Sequence, residues 1–119
     1  MADVVALVDD LFFQAKLLET AKQLGVDLRT CATPDALAAE IGRQTPQLVV
    51  VDLNARVDAM EAIQRVRAAD GSIPLIGFLS HVQVELAERA RAAGCSNVMP
   101  RSKFTRELAT ILRQVKSES

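Results

Sequence analysis

Residues 48–58 read LVVVDLNARVD, in which four apolar residues lead directly into Asp52 and polar sequence follows. A short apolar run without polar alternation is typical of a strand that is buried on both faces of a parallel sheet. Aspartate is unfavourable in strands, and burial of an unpaired carboxylate is costly. Two interpretations are therefore open: Asp52 begins a solvated loop, or the strand serves to place this carboxylate at a functional site.

Four other apolar segments predict the remaining strands of a sheet. Two are as apolar as the first and two are weaker; in chain order they are Val4–Val8, Val26–Cys31 (weak), Leu75–Leu79 and Asn97–Met99 (weak). Each strand is followed by a stretch whose apolar residues recur with the 3.6-residue period of a helix. Five strands alternating with five helices predict an α/β fold, a doubly wound parallel sheet with helices on both faces. We expect the flavodoxin-like strand order 2-1-3-4-5.

Capping signals mark the ends of the predicted helices. Glycine is favoured just beyond the last helical turn, whereas Ser, Thr and Asp side chains accept hydrogen bonds from the first turn. Gly25 follows the first predicted helix, and Thr33-Pro34 precede the second. Asp58, three residues ahead of Glu61, starts a third helix that ends near Ala69. Gly94 follows a fourth helix from about Val82 to Ala93, and Ser102 precedes a fifth helix with an apolar stripe from Phe104 to Val115.

The composition restricts the classes of function. A length of 119 residues predicts one domain, residues 1–119. Fourteen basic and fifteen acidic residues give a net charge of −1, which lacks the basic excess that nucleic-acid binding normally requires. No apolar run approaches the roughly 20 residues that span a bilayer, and the N-terminus has no signal-peptide pattern. Cys31 and Cys95 stand 64 residues apart, without metal-binding spacing, and are predicted to be reduced core residues of a cytoplasmic protein.

Three aspartates stand at the carboxyl ends of predicted strands. Asp9 and Asp10 follow the first strand and Asp52 follows the third, and these strands are neighbours in the expected order. Ligands of open parallel sheets bind at this edge, where the strand order reverses. Carboxylates so placed raise one another's pKa unless a cation lies among them, and hard oxygen ligands favour Mg2+. The alternative is structural: Asp10 caps the helix that begins at Leu11, and Asp52 begins a loop.

Four segments carry a resemblance to a known family: ALVDD (residues 6–10), LVVVDLN (48–54), IPLIGFLS (73–80) and AGCSNVMPRS (93–102). Their order and spacing, over nearly the whole chain, resemble the receiver domain of bacterial response regulators of the chemotaxis-regulator type. The resemblance implies that a sensor histidine kinase or a phosphotransfer protein donates a phosphoryl group to Asp52. It also implies that Mg2+ is held by Asp9, Asp10, Asp52 and the backbone carbonyl of Asn54. A carboxylate can act as a nucleophile toward phosphorus when a cation neutralises the transferring group.

The resemblance fails at the end of the fourth strand. The family usually has Thr or Ser there, but alignment on Ile73-Pro74 places Leu79 at this position and Ser80 one residue later. A shift of one residue points a strand side chain to the opposite face, although a bulge at Gly77 would re-aim it. Ser80 is therefore a candidate switch hydroxyl, and its alternative role is the N-cap of the fourth helix.

The fifth strand departs from the family pattern as well. Arg101 stands in the place of the family's lysine, Ser102 replaces the proline after it, and Val98 replaces the aromatic switch residue. Arginine keeps the positive charge, but its planar guanidinium differs in size and geometry from an ammonium group. Arg101 is thus the candidate lysine substitute at the phosphate end of the pocket, with an ordinary surface arginine as the alternative.

These departures leave two receiver functions open. In the first, the protein is phosphorylated on Asp52 and binds a downstream protein through its fourth helix, fifth strand and fifth helix. This surface is compatible with pairing of two copies as a homodimer, and equally with an ordinary solvated face. In the second, it is a degenerate receiver that acts as a protein-interaction module without phosphorylation. An enzyme on this scaffold is disfavoured, because neither a DxD nucleophile pair nor a P-loop follows the first strand. The chain ends at Ser119, so no output domain is expected, and His81 is expected to be a loop residue before the fourth helix.

Overall fold

The structure is a computed structural model that describes residues 2–80 and 83–117. Over this part of the chain, five strands and five helices alternate: β1 Val4–Leu7, α1 Leu11–Leu24, β2 Leu28–Cys31, α2 Pro34–Arg43, β3 Leu48–Asp52, α3 Ala59–Ala69, β4 Leu75–Leu79, α4 Val84–Ala93, β5 Asn97–Pro100 and α5 Arg101–Ser117. The expectations for His81 and Val82 lie outside the described residues, and α4 begins at Val84. Among the described residues, no helix combines the length and the apolar character needed to cross a membrane.

The five strands form one parallel sheet in the order β2-β1-β3-β4-β5, which confirms the predicted flavodoxin-like order. β3 is the central strand. Its register places Val51 beside Leu7 of β1 and Asp52 beside Phe78 of β4. Because the strands are parallel, the carboxyl ends of β1 and β3 meet at the same edge of the sheet, at the point where the strand order reverses. The predicted carboxylate site lies at this edge.

Apolar side chains fill the space on both faces of the sheet. On one face, the strands pack against α1 and α5 around Phe13, Phe78 and Phe104. The rings of Phe78 and Phe104 are stacked with their centroids 5.0 Å apart, and the Phe13 centroid lies 5.0 Å and 6.1 Å from them. On the other face, α2, α3 and α4 cover a second apolar cluster, which contains Cys31 and Cys95. Both cysteines are buried and free, as predicted.

Local capping interactions explain where several helices begin and end. The side-chain oxygens of Thr33 and Asp58 accept hydrogen bonds, each 3.0 Å long, from the third residue of the helix that follows. Gly25 ends α1 with φ at 71°, in the left-handed region that glycine adopts at little cost. Gly94 ends α4 with φ at 130°. These signals depend on neighbouring residues only, and all four were predicted.

The fifth helix begins earlier than predicted. α5 starts at Arg101, directly after Pro100, the last residue of β5. Ser102 therefore lies inside the first turn, and its predicted role as the N-cap is wrong. The helix follows β5 without an intervening loop, so it begins before the serine. As a consequence, Arg101 is held at the edge of the sheet where the carboxylates lie.

Gly77 lies in a regular strand and makes no bulge. The pairing of β4 with β3 runs without a skipped residue from Val49 and Leu75 to Asp52 and Phe78, and the pairing with β5 is equally regular. The bulge that Gly77 could have permitted, and that would have re-aimed Ser80, is therefore not formed. Close packing explains the glycine instead, because a Cβ at Gly77 would lie 3.0 Å from Cδ1 of Leu53 and 3.2 Å from Sγ of Cys95.

Candidate functional site

Asp52 is the last residue of β3 and is only 4% exposed. Among the described residues, it is the one polar or charged residue buried to this extent. The strand reaches this position because Leu48–Val51 are all buried between the two helical layers. The side chain is therefore carried into the protein by the strand, and the alternative in which Asp52 begins a solvated loop is wrong.

The neighbours of Asp52 perturb its carboxyl group. Oδ1 of Asp52 accepts a hydrogen bond from the backbone N–H of Asn54 at 2.9 Å. Burial raises the pKa of Asp52, and the Asn54 hydrogen bond opposes this effect. The negative charges of Asp9 and Asp10 raise the pKa further, the positive charge of Arg101 lowers it, and the net direction is upward. The carboxylates of Asp9 and Asp10 thus both act on that of Asp52.

Both carboxylate oxygens of Asp10 are engaged. Oδ1 accepts hydrogen bonds from the backbone N–H groups of Phe12 at 2.9 Å and Phe13 at 3.2 Å, which makes Asp10 the N-cap of α1. Oδ2 accepts a hydrogen bond from Nη2 of Arg101 at 2.8 Å. The Arg101 hydrogen bond, followed by that of Phe13, lowers the pKa of Asp10. Asp10 therefore caps the helix, as the structural alternative proposed, and belongs to the pocket at the same time.

Arg101 lies in the pocket and not on an open surface. Besides its ion pair with Asp10, its guanidinium carbon lies 4.2 Å from the centroid of the Phe13 ring, which is the geometry of a cation–π contact. Its side chain retains 30% exposure. The first residue of α5 therefore contributes the positive charge of the site, in the position that the resemblance assigned to a lysine. Phe13 as a platform for this charge was not predicted.

Three further hydrogen bonds connect the loop after β3 to neighbouring segments. Oδ2 of Asp9 accepts a hydrogen bond from the backbone N–H of Arg56 at 2.8 Å. The side chain of Asn54 donates from Nδ2 to Oε1 of Gln83 at 2.7 Å, and its Oδ1 accepts from the backbone N–H of Ser80 at 2.7 Å. The sequence pattern assigned only the Asn54 carbonyl to the site. Its side chain links β3 to the start of α4, and Gln83 was missed because no motif marks it.

Ser80 follows β4 and is exposed. Leu79, by contrast, is buried in the apolar cluster that α2, α3 and α4 cover. The N-cap of α4 is Gln83, so the alternative role of Ser80 as that cap is wrong. Gln83 makes no capping bond with its side chain, which instead accepts the hydrogen bond from Asn54. The role of the Ser80 hydroxyl as a switch group stays a prediction.

The acidic residues are not assembled as a metal site in this arrangement. Within residues 2–80 and 83–117, no three His, Cys, Asp or Glu side chains are placed to share one metal ion. The oxygen donors have the right chemistry for Mg2+, although both oxygens of Asp10 already accept hydrogen bonds from α1 and Arg101. The acidic side chains are therefore not gathered around one metal position in this arrangement, and the predicted ligand set of Asp9, Asp10, Asp52 and Asn54 stays a prediction.

A groove of about 210 Å³ opens between α4 and β5, next to the pocket. Val98 stands on its β5 side, at the position where the resemblance expects an aromatic residue, and is buried. Gln83 lines the groove and also accepts a hydrogen bond from Asn54, so its side chain connects the groove to the pocket at Asp52. The other lining residues are Leu79, Val84, Ala87, Arg91, Met99 and Pro100.

Comparison with solved structures places this fold among receiver domains, although no family model and no curated protein matches the chain. The receiver domain of NtrX from Brucella abortus aligns with a TM-score of 0.81 at 18% identity, over 98% of this chain and 100% of that one. The Vibrio cholerae chemotaxis protein CheY4 aligns with a TM-score of 0.83 at 19% identity, over 97% and 98%. The beryllofluoride-activated NtrC4 receiver domain dimer aligns with a TM-score of 0.77 at 15% identity, over 94% and 97%.

A longer NtrX structure, in complex with ADP, aligns over 99% of this chain with a TM-score of 0.78 and 19% identity. This chain spans only 29% of its length. At these identities the likeness concerns the fold. The chain has the fold of response regulator receiver domains, as the sequence resemblance predicted.

Proposed function

We propose that the protein is a receiver in two-component signal transduction and accepts a phosphoryl group on Asp52 from a sensor histidine kinase or a phosphotransfer protein. The observation that supports this most directly is the burial of Asp52 at the end of the central strand, with Asp9, Asp10 and Arg101 acting on it. A strand that buries a single carboxylate beside two others is costly for stability. Such an arrangement is typical of a functional site.

The proposed reaction is a direct displacement at phosphorus. Oδ1 of Asp52 is held by Asn54, and its other oxygen accepts no hydrogen bond from the described residues, so it is the nucleophile. A new P–O bond to Asp52 forms as the P–N bond of the donor phosphohistidine breaks, and the released imidazole nitrogen takes up a proton. Arg101 supplies positive charge toward the transferring group.

Mg2+ is the proposed cofactor of this transfer, with Asp9, Asp10, Asp52 and the carbonyl of Asn54 as its ligands. When bound, such an ion neutralises negative charge on a transferring phosphoryl group. Arg101 is paired with Asp10 in the structure and competes with such an ion for this carboxylate.

The proposed output surface is formed by α4, β5 and α5. Val84, at the start of α4, is 65% exposed and lines the groove beside Val98. Gln83 connects this groove to Asn54 and thus to the pocket. We propose that a downstream protein binds here, and that two copies pair through this surface; the NtrC4 receiver is described as a dimer. The proposed role is that of a cytoplasmic, non-enzymatic signalling module without a nucleic-acid ligand.

A second candidate function is supported by the ion pair between Arg101 and Asp10. This pair, together with Leu79 in the place of the usual hydroxyl residue, favours a degenerate receiver that binds its partner without phosphorylation. Both candidates use the same fold and output surface. They differ in whether Asp52 reacts.

Intact-mass measurement after incubation with a small phosphodonor and Mg2+ distinguishes the two. The proposal predicts one phosphoryl adduct on the wild type and none on Asp52→Asn. Asp35→Asn is the matched control, because the Asp35 side chain is 89% exposed and lies outside the pocket; it should form the adduct like the wild type. An adduct that persists in Asp52→Asn would refute Asp52 as the acceptor. Absence of the adduct from all three proteins would favour the degenerate receiver.

A further inference from the structure

Three carboxylates meet at the pocket, and a cation was expected among them. In the structure, the positive charge that acts on Asp52 is the guanidinium of Arg101. It forms an ion pair with Asp10 at 2.8 Å and lies over the ring of Phe13 at 4.2 Å. A charged group of the chain itself thus stands where a bound cation was predicted.

The guanidinium is held between two rigid partners. Asp10 is fixed by its two bonds to the first turn of α1. Phe13 is buried and packs against Phe78 and Phe104, so its ring is a firm platform. A planar guanidinium can stack on a ring and donate in its own plane to a carboxylate, which an ammonium group cannot do. The arrangement is therefore specific to arginine at position 101.

The guanidinium of Arg101 neutralises the negative charge of Asp10 on the oxygen, Oδ2, that is not used to cap α1. Mg2+ demands near-octahedral geometry with short bonds to its oxygens, and a neighbouring cation repels it. The Arg101 side chain can move away from Asp10 into solvent, because it is already partly exposed. The guanidinium and a metal ion are two positive charges that therefore compete for the carboxylate of Asp10.

We propose that Arg101 is the resting counter-ion of the acidic pocket and that a divalent cation enters only by displacing it from Asp10. This inference concerns the pocket of the proposed function and rests on that site. It makes Arg101 a positioning residue that opposes metal loading, in addition to any contact with a phosphoryl group. The protein should consequently bind Mg2+ weakly, and loss of the guanidinium should strengthen the binding.

The test is a titration of the protein with MgCl2 at constant ionic strength, followed by the amide NMR signals of residues 9–10 and 52–54. Arg101→Ala should bind Mg2+ on the order of tenfold more tightly than the wild type. Arg101→Lys should lie between them, because lysine keeps the charge but loses the stacked planar contact. Arg113→Ala is the matched control, since it removes the same charge about 18 Å further along the same helix; it should bind like the wild type.

Equal Mg2+ affinity in the wild type and Arg101→Ala would overturn the inference, and so would the absence of binding in both. The amide spectra also show whether each variant is folded, and Arg101→Lys provides a second test if the alanine variant is not. No phosphodonor is present in this experiment. Its failure is therefore distinguishable from a failure of phosphorylation at Asp52.

Discussion

Replacement of Asp52 by asparagine should make the protein more stable at neutral pH. Burial, with the charges of Asp9 and Asp10, raises the pKa of Asp52, which means that the folded state disfavours its ionised form. Asparagine has nearly the same shape and no charge. Its Oδ1 can still accept the hydrogen bond that the backbone N–H of Asn54 donates to Asp52. The substitution therefore removes the unfavourable burial of a charge and keeps the hydrogen bond from Asn54.

The size of this gain follows from opposing contributions. Desolvation of an ion in a protein interior costs several kcal/mol when nothing compensates it. At Asp52, the hydrogen bond from Asn54 and the charge of Arg101 offset part of that cost. We expect a net increase in the free energy of unfolding of about 1 kcal/mol, within the range of typical stabilising substitutions. This corresponds to a rise in Tm of about 4 °C for a chain of this size.

The dependence on pH has a defined sign. A carboxyl whose pKa is raised by folding binds its proton more tightly in the folded state, so wild-type stability falls as the pH rises from the unfolded pKa through the folded one. The advantage of Asp52→Asn should be complete at neutral pH and should vanish as the pH falls toward about 3.9, the ordinary value for aspartate.

Urea unfolding followed by far-UV circular dichroism is the assay, because the chain has no Trp or Tyr for fluorescence. Asp35→Asn, at an exposed side chain paired with Arg65, is the control for removal of one negative charge and should shift stability by less than about 0.5 kcal/mol. If Asp52→Asn is less stable than the wild type at neutral pH, or if its advantage does not change with pH, the reasoning about the buried charge is refuted.

Three further predictions concern packing and thiol chemistry. Arg67→Ala should lower the free energy of unfolding by about 2 kcal/mol in the same urea assay, because its guanidinium donates to four backbone carbonyl oxygens, three between α3 and β4 and one at the end of α4; an unchanged midpoint would contradict this. Gly77→Ala should lower the free energy of unfolding by about 1 to 3 kcal/mol, since the new Cβ would lie 3.0 Å from Cδ1 of Leu53. A variant as stable as the wild type would contradict this. Cys31 and Cys95 should react with iodoacetamide far more slowly than in urea-unfolded protein, because burial raises their pKa to about 12 and about 11; equal rates by intact mass would refute it.

Local patterns account for most of the fold that could be predicted. The apolar run before Asp52 lacks polar alternation, which is the mark of a strand with helices on both faces. Caps such as Thr33 and Asp58 bond to residues three positions away, so they can be read directly from the sequence. The start of α5 at Arg101 was missed because serine is a good cap in isolation, whereas in the structure the helix follows β5 directly.

The side-chain contacts of the site could not be predicted in the same way. Arg101 and Asp10 are 91 residues apart, and their pairing depends on how α1 and α5 pack on one face of the sheet. The bond between Asn54 and Gln83 crosses from one loop to another. Strand order brings the right residues to one edge, but the partner that each polar atom takes is decided by tertiary packing.

The central claim is that the pocket at Asp52 receives a phosphoryl group and that the change reaches α4. Beryllofluoride is a phosphoryl analogue, and its addition with Mg2+ can be followed by amide NMR in the wild type and in Asp52→Asn. The account predicts signal changes at residues 52–54, at Arg101, and at Gln83 and Val84 in the wild type only. A wild type that does not respond, or an equal response of Asp52→Asn, would contradict it.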